Sequence, residues 1–202
     1  MNEEEKQAKY KARMEKQKAR IDKKIAEATE SRGIVVLLTG NGKGKSTSAF
    51  GMVLRSLGYG HNVGIVQFIK GAQQSGEEQF IQKKFPEIPF YQMGTGFTWN
   101  TQDRSSDIEA AEKTWDFAEN LLQDDAIRLV VLDELTYMLG YKYLAEDRII
   151  SAIKNRPYEQ TVVITGRGGG SAIRELADTV SDVNCVKHAF KEGIAAREGV
   201  DF

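Results

Sequence analysis

The sequence has one cysteine and two histidines in 202 residues, and this scarcity excludes several kinds of site. With Cys185 alone, no disulfide can form within the chain, which favours a reducing compartment. His61 and His188 lie far apart and lack the spacing of zinc ligands or of a histidine-based catalytic triad. We therefore expect any catalytic or binding site to depend on other residue types.

The sequence also lacks long apolar runs and a large charge of one sign. No apolar run approaches the ~18 residues of a membrane span. The charged N-terminus has no apolar stretch typical of a secretory signal. The formal net charge is −1, which argues against a protein that binds nucleic acid mainly by electrostatics. We expect a cytoplasmic protein that binds neither membranes nor nucleic acid.

The composition suits one globular domain, preceded by a charged segment. Hydrophobic residues make up 41% and charged residues 28% of the chain, as in ordinary folded domains. Residues 1–32 carry ten Lys or Arg and seven Asp or Glu. Their apolar residues fall near one helical stripe: Tyr10, Met14, Ile21, Ile25 and Ala28. This segment is predicted to be a helical extension, either a solvated tail or a helix that docks on a neighbour or over a ligand. The domain itself is predicted to span residues 33–202.

The clearest motif is a glycine-rich turn between a buried strand and a helix. The apolar run Ile34–Leu38 predicts the strand, and a helical pattern runs from Thr47 to about Leu57. The turn contains Gly40, Asn41, Gly42, Lys43, Gly44, Lys45, Ser46 and Thr47. In a phosphate-binding loop the backbone N–H groups and the lysine bind phosphate oxygens, and the hydroxyl next to the lysine ligates Mg²⁺. Thr39 stands where the general motif has its first glycine, so an ordinary strand-to-helix turn is the alternative.

Charged residues follow three further predicted strands. The strand before Asp133 and Glu134 resembles the second half of a P-loop site, where an acid orients Mg²⁺. The alternative is two acids that cap the next turn. Lys70 and Arg167 each follow a β-branched run, and with Arg55 they are candidate phosphate or substrate contacts. Their alternative is an ordinary place on the surface.

Two aromatic residues, Phe97 and Trp99, lie in a loop of glycine and small polar residues. If exposed, they would form a flat apolar patch suited to a planar ligand. Alternatively, they fill the core beneath the loop. A helix with a capping box at Ser106 is predicted to follow, with Trp115 on its buried face.

The alternation of strands and helices predicts an α/β fold: a mostly parallel sheet with helices on both faces. A last strand is predicted over residues 180–186, with Cys185 as a small buried hydrophobe. Ligands of such sheets bind at the carboxyl ends of the strands. Phosphate, metal and substrate are therefore expected at one edge.

These motifs together resemble the P-loop-type corrinoid adenosyltransferases. The similarity runs in order from about residue 33 to 202 and is carried by residues 39–46, 66–71, 95–99, 130–137, 164–168 and 186–190. The displaced first glycine is what this family shows, and Ser46 stands where threonine is common. The resemblance implies a P-loop NTPase-like (RecA-like) fold.

The resemblance also implies a reaction and its residues. Co(I) of a reduced corrinoid attacks the 5′ carbon of ATP, and triphosphate leaves. Lys45 and the loop amides would hold the triphosphate, while Ser46 and Glu134, assisted by Asp133, would hold Mg²⁺. The aromatic pair Phe97 and Trp99 would sit against the lower face of the corrin and displace its lower axial ligand.

Further expectations follow from the resemblance for the partners of this chain. It implies a homodimer that receives electrons from a reduced flavoprotein. The N-terminal helix would then serve as a lid that keeps water from Co(I). Two alternative functions share the P-loop: a small-molecule kinase or ATPase, and a nucleotide-binding module without catalysis.

Overall fold

The computed structural model describes residues 2–69, 74–94 and 104–201, and the chain divides into two units, Met1–Ser31 and Arg32–Phe202. The first unit consists mainly of helix α1 (Glu3–Glu27). The Asn2 side chain accepts from the Glu5 N–H at 2.8 Å, and the Glu5 carboxylate accepts from the Asn2 N–H at 3.1 Å. This capping box starts the helix, none of whose residues is buried. The predicted N-terminal helix is confirmed, and its role as a lid stays a prediction.

The second unit is built on a six-stranded sheet. Its strands are β1 (Val35–Thr39), β2 (Asn62–Gln67), β3 (Phe90–Gln92), β4 (Ile127–Asp133), β5 (Thr161–Thr165) and β6 (Thr179–Asp182). Their order is β3-β2-β4-β5-β1-β6, and every pairing among the described residues is parallel. The predicted α/β fold is confirmed, and the predicted mostly parallel sheet is parallel throughout the described residues.

Helices cover both faces of the sheet. They are α2 (Lys45–Gly58), α3 (Gly76–Lys84), α4 (Arg104–Gln123), α5 (Leu135–Gly140), α6 (Glu146–Lys154) and α7 (Gly170–Leu176), and a 3₁₀ turn follows at Ala189–Glu192. Side chains of β1 alternate between two cores: Val35 and Leu37 pack with α4 and α6, while Val36 and Leu38 pack with α2. No helix of the described ranges is long and apolar enough to span a membrane.

Trp115 occupies the larger core, as predicted. It is fully buried in α4, and its ring lies 6.2 Å from that of Phe68, centroid to centroid. Burial of both faces explains why β1, β2, β4 and β5 read as nearly continuous apolar runs, whereas the edge strand β6 is exposed. These runs made the strands recognisable in the sequence.

Several predicted boundaries are wrong. Helix α4 begins at Arg104, so Ser106 lies inside it and does not cap it. Strand β6 ends at Asp182, and Cys185 lies beyond it, half-buried. Helix α5 directly follows Glu134 and was not anticipated.

Asp178 forms a hydrogen bond with the first residue of β1, Val35. Its carboxylate accepts two hydrogen bonds from the Arg32 guanidinium, at 2.5 and 3.0 Å, and a third from the Val35 N–H at 2.8 Å. The Arg32 hydrogen bonds, with a smaller contribution from the Val35 N–H, lower the pKa of Asp178 to about 2 from 3.8, although burial opposes the shift. The folded state therefore favours the ionised form of Asp178 more strongly than the unfolded chain does.

We expect Asp178→Asn to destabilise the protein at neutral pH and to matter little at pH 2. Because the folded pKa is depressed, the stabilisation is present above pH 3.8 and is lost as the pH falls towards 2. Allowing for solvent screening of this partly exposed pair, the loss at pH 7 is about 1–2 kcal/mol. Urea unfolding at pH 7 and pH 2 measures it, with Glu87→Gln, on an exposed loop, as control. An equal effect at both pH values would contradict the prediction.

Candidate functional site

Every strand of the sheet ends in a polar residue at the same edge. The six residues are Thr39, Gln67, Gln92, Asp133, Thr165 and Asp182. Because the strands are parallel, their carboxyl ends meet there, where open α/β sheets bind ligands. The predicted loop and acids are brought together at this edge.

The glycine-rich turn joins β1 to α2. Gly40 has a φ of +100°, and a Cβ there would stand 2.5 Å from the Val183 carbonyl oxygen, so the turn needs glycine. The Gly42 N–H donates to the same oxygen at 2.6 Å. Helix α2 begins at Lys45, two residues earlier than predicted, so its first N–H groups face the turn. Such a helix start favours an anion, as the phosphate-loop prediction requires.

Lys45 is 7% exposed, and its Nζ donates to the Gly42 carbonyl oxygen at 2.8 Å. Burial lowers its pKa below the usual value, the charge of Glu134 opposes this, and that of Arg167 adds to it. The ammonium group is thus held over the loop in a partly desolvated position. A buried cation of this kind is stabilised by an anionic ligand.

The two acids after β4 differ in environment. The Asp133 carboxylate accepts from Gln67 Nε2 at 3.0 Å and from the Thr165 hydroxyl at 2.6 Å. Glu134 adopts a left-handed conformation, with φ 60°, and its N–H donates to the Thr165 hydroxyl at 2.9 Å. Thr165 therefore links the side chain of one acid to the backbone of the other.

The Glu134 side chain has a buried oxygen, Oε2, with no hydrogen-bond partner among the described residues. Burial first, and then the charge of Asp133, raise the pKa of Glu134 to about 7. An unpartnered buried carboxylate oxygen beside a second carboxylate suits a hard cation, and with the Ser46 hydroxyl the donors are all oxygen. The described residues contain no cluster of three or more acidic, histidine or cysteine ligands, so Mg²⁺ here would complete its coordination with oxygens of water or of a nucleotide.

Arg167 lies in the glycine-rich loop after β5. The Thr136 hydroxyl donates to the Arg167 carbonyl oxygen at 2.9 Å, and the Thr39 hydroxyl donates to that of Gly168 at 2.8 Å. The Arg167 charge acts on the pKa values of both Lys45 and Glu134. The predicted phosphate contact is therefore anchored by its backbone and presented beside the acids.

We expect Gly166→Ala to disrupt this loop far more than Gly168→Ala. Both glycines have positive φ, but a Cβ at Gly166 would collide with the Thr136 hydroxyl, whereas nothing lies within 4 Å of one at Gly168. Gly168→Ala should lose only about 1 kcal/mol of folding free energy through backbone strain. In Gly166→Ala the clash should add a further loss of about 1–3 kcal/mol. Chemical denaturation measures both. Equal losses would contradict the steric argument, and adding Thr136→Ala should relieve Gly166→Ala only.

A cavity of about 1040 Å³ opens at this edge. Predicted site residues that line it are Asn41, Gly42, Lys43, Gly44, Lys45, Ser46, Thr47, Asp133, Glu134 and Arg167. Arg55 is exposed near the end of α2 and is not among the lining residues. Lys70, Phe97 and Trp99 lie outside the described residues, so their predicted roles stay predictions.

The segment after β6 supplies lining residues that the sequence analysis missed. Lys43 Nζ forms an ion pair with Asp201 Oδ1 at 2.6 Å, and this lowers the pKa of Asp201. His188 also lines the cavity, and its Nδ1 accepts from the Phe190 N–H at 3.2 Å. His188 lies within residues 186–190, one of the motifs that carry the family resemblance, but was given no role in the site, and Asp201 had no local signal. For Gln67 and Thr165 a signal existed, since each is a polar residue ending an apolar strand.

Comparisons with known proteins agree with this geometry. Residues 31–202 match the family described as ATP:corrinoid adenosyltransferase BtuR/CobO/CobP. The chain is 52% identical to a corrinoid adenosyltransferase of Pseudomonas aeruginosa over 98% of each chain. It is 48% identical to corrinoid adenosyltransferase CobA of Salmonella typhimurium over 96% of this chain and 97% of that one.

Among solved structures, the flagellar accessory protein FlaH of Methanocaldococcus jannaschii shares the fold. The TM-score is 0.51 at 12% identity, over 75% of this chain and 71% of that one. Similarity at this identity concerns the fold alone. The family predicted from the motifs is confirmed, together with its transferase activity: the chain belongs to the ATP:corrinoid adenosyltransferases.

Proposed function

We propose that this edge of the sheet transfers the 5′-deoxyadenosyl group of ATP to the Co(I) centre of a corrinoid and releases triphosphate. The observation that carries the proposal is the convergence on one cavity of the phosphate loop, Lys45 and Glu134, whose buried Oε2 has no hydrogen-bond partner in the described part of the chain. Membership of the family supports the choice of adenosyl transfer over phosphoryl transfer.

In this reaction the electron pair of Co(I) forms the cobalt–carbon bond, and the bond between the 5′ carbon and its oxygen breaks. Both electrons of that bond leave with the triphosphate, where negative charge grows. Lys45, the N–H groups of the loop and Arg167 surround the place where that charge develops, so they favour the transition state over bound ATP. The substrate supplies the nucleophile, so no protein side chain needs to attack.

Ser46, Glu134 and Asp133 are the residues that would hold Mg²⁺. Bound there, Mg²⁺ would supply positive charge that stabilises the departing triphosphate. The Glu134 carboxylate would then gain the partner that its Oε2 lacks among the described residues. Asp133, already held by two hydrogen bonds, would orient the metal and its ligands.

Four further roles belong to the same proposal. Phe97 and Trp99 contact the lower face of the corrin, and helix α1, whose apolar residues Tyr10, Ile21 and Ile25 are exposed, serves as the lid that keeps water from Co(I). The enzyme works as a homodimer, and a reduced flavoprotein supplies the electrons. These roles follow from the family resemblance.

Incubation with ATP and chemically reduced cobalamin tests the reaction. The proposal predicts the absorption spectrum of a cobalt–carbon bond and triphosphate as the second product. ADP as the product would instead support a kinase or ATPase, and no turnover would support a binding module. A bound nucleotide whose ribose faces away from any space large enough for a corrin would also contradict the proposal.

We expect Trp99→Ala to impair the reaction from Co(II) plus reductant more than the reaction from preformed Co(I). Loss of the lower axial ligand makes Co(II) easier to reduce, and Trp99 is proposed to displace it. Parallel assays from the two cobalt states measure the difference. Equal losses would count against this role and leave a general contribution to corrinoid binding.

A further inference from the structure

A line of polar side chains runs across the strand ends from Asp133 to helix α3. Gln92, Gln67 and Asp133 are direct cross-strand neighbours in β3, β2 and β4. Gln67 Nε2 donates to Asp133 Oδ2 at 3.0 Å. Gln92 Nε2 donates to Gln67 Oε1 at 3.0 Å and to Glu78 Oε2 at 3.1 Å. The line therefore ends on a second carboxylate, that of Glu78.

Glu78 is 1% exposed. Its other oxygen, Oε1, accepts from Gln74 Nε2 at 2.8 Å and from Gln82 Nε2 at 3.4 Å. Within the described ranges, every side chain that donates to Glu78 is a neutral amide. Burying a carboxylate is costly, and an apolar residue of similar size is often at least as stable. Stability alone does not explain a glutamate at this position.

The carboxylates at the two ends set the direction of both amides. Gln92 must present its NH₂ group to Glu78, and the same group reaches the oxygen of Gln67. With its oxygen engaged, Gln67 turns its own NH₂ group towards Asp133. Reversing the Gln67 amide would place its oxygen against the Asp133 carboxylate, and neither atom can donate. Only this orientation of the Gln92 and Gln67 amides pairs a donor with an acceptor at every contact along the line.

The line also extends past Asp133. The second Asp133 oxygen accepts from the Thr165 hydroxyl, and the oxygen of Thr165 accepts from the Glu134 N–H. The Asp133 carboxylate is thus held from both sides, by Gln67 and by Thr165. A hydrogen-bonded route connects buried Glu78 to the two acids of the candidate metal site.

We propose that Glu78 is a positioning residue: through Gln92 and Gln67 it holds the Asp133 carboxylate in the orientation in which the site binds Mg²⁺ with ATP. This inference rests on the proposed role of Asp133. Substituting a residue that orients a metal-binding carboxylate by hydrogen bonding typically lowers metal affinity by about 10- to 100-fold.

The test is calorimetric titration of ATP with and without Mg²⁺. The Kd without Mg²⁺ divided by the Kd with Mg²⁺ measures how much the metal strengthens ATP binding. Glu78→Gln keeps the size of the side chain but removes the charge that orients Gln92, and we expect it to lower the ratio about ten-fold. Its affinity for ATP without metal should stay at the wild-type value. Gln92→Met cuts the same line while keeping Glu78, and we expect the same fall.

Gln82→Ala is the matched control on the same helix. It removes the longest of the hydrogen bonds to Glu78, from an exposed position, and should leave the ratio unchanged. A Glu78→Gln protein with a wild-type ratio would overturn the inference, whether or not its thermal unfolding midpoint had fallen. A lower midpoint with a normal ratio is what a merely structural residue would give.

A double variant separates this inference from the proposed function. If Glu78 acts through Asp133, then Glu78→Gln with Asp133→Asn should have the ratio of Asp133→Asn alone. If the double variant instead lost the product of the two single losses, the two residues would act independently. That result would overturn the positioning role of Glu78 while leaving Asp133 as a metal-site residue. If Asp133→Asn alone kept the wild-type ratio, the proposed role of Asp133 would fail, and the positioning role with it.

Discussion

Lys45→Ala is expected to lower kcat/KM for adenosyl transfer by about 10²–10³, the usual effect of removing one donor that stabilises charge in a transition state. The Lys45 ammonium is partly desolvated and held over the loop, 2.8 Å from the Gly42 carbonyl oxygen. Charge on the triphosphate grows as the bond to the 5′ carbon breaks. The loss should therefore fall on kcat more than on KM.

Unfolding does not account for the expected loss. Burial lowers the pKa of Lys45, which means that the folded protein destabilises the charged form. Lys45→Met removes the charge and keeps most of the volume, so it should be at least as stable as the wild type while losing as much activity as Lys45→Ala. Lys113→Ala, on the exposed face of α4, is the control for loss of a positive charge elsewhere. Wild-type rates of Lys45→Ala with every corrinoid would reject the phosphate-loop role.

Glu134→Gln is expected to remove a loss of stability that the ligand-free wild type shows between about pH 4.5 and 7. Because the folded pKa is raised to about 7 from 4.5, the folded carboxyl keeps its proton over a range in which the unfolded one has lost it. Stability from this group is therefore full below pH 4.5 and falls as the pH rises through 7. The pKa difference corresponds to about 3 kcal/mol.

Urea unfolding of the two proteins at pH 4.5, 6 and 8 measures this effect, since titration of the other groups cancels in the difference. We expect Glu134→Gln to gain on the wild type by up to about 3 kcal/mol as the pH rises. The same substitution should abolish most of the Mg²⁺-dependent ATP affinity and turnover. A difference that does not change with pH would contradict the raised pKa. Unchanged binding of ATP with Mg²⁺ would contradict the metal role.

The strands and the loop were predictable because their signals are local. An apolar, β-branched run marks each buried strand, and the glycines and Lys45 mark the phosphate loop in any context. Boundaries were less predictable. The Ser106 capping pattern lies inside α4, where Asp107 is buried and its carboxylate accepts from the Tyr143 hydroxyl at 3.3 Å. A partner 36 residues away outweighs the local motif.

In the site, too, the residue types were predictable from local sequence, whereas their environments were not. Asp133 and Glu134 were visible as acids after an apolar strand, yet their different environments were not. Asp133 has hydrogen bonds from Gln67 and Thr165, whereas Glu134 has a buried oxygen without a partner in the described residues. Arg55 was a candidate phosphate contact by residue type, but it is exposed in the last turn of helix α2 and does not line the cavity.

The sequence by itself determined the family, the parallel α/β fold and the phosphate loop, because residue type and spacing along the chain suffice for these. Only the tertiary structure decided which residues share the cavity, which acid keeps a buried oxygen with no partner among the described residues, and that Glu78 is linked to Asp133. Those relations depend on strand order and register, which bring Gln92, Gln67 and Asp133 side by side from three separate parts of the chain. A one-dimensional pattern does not contain the distance between such parts.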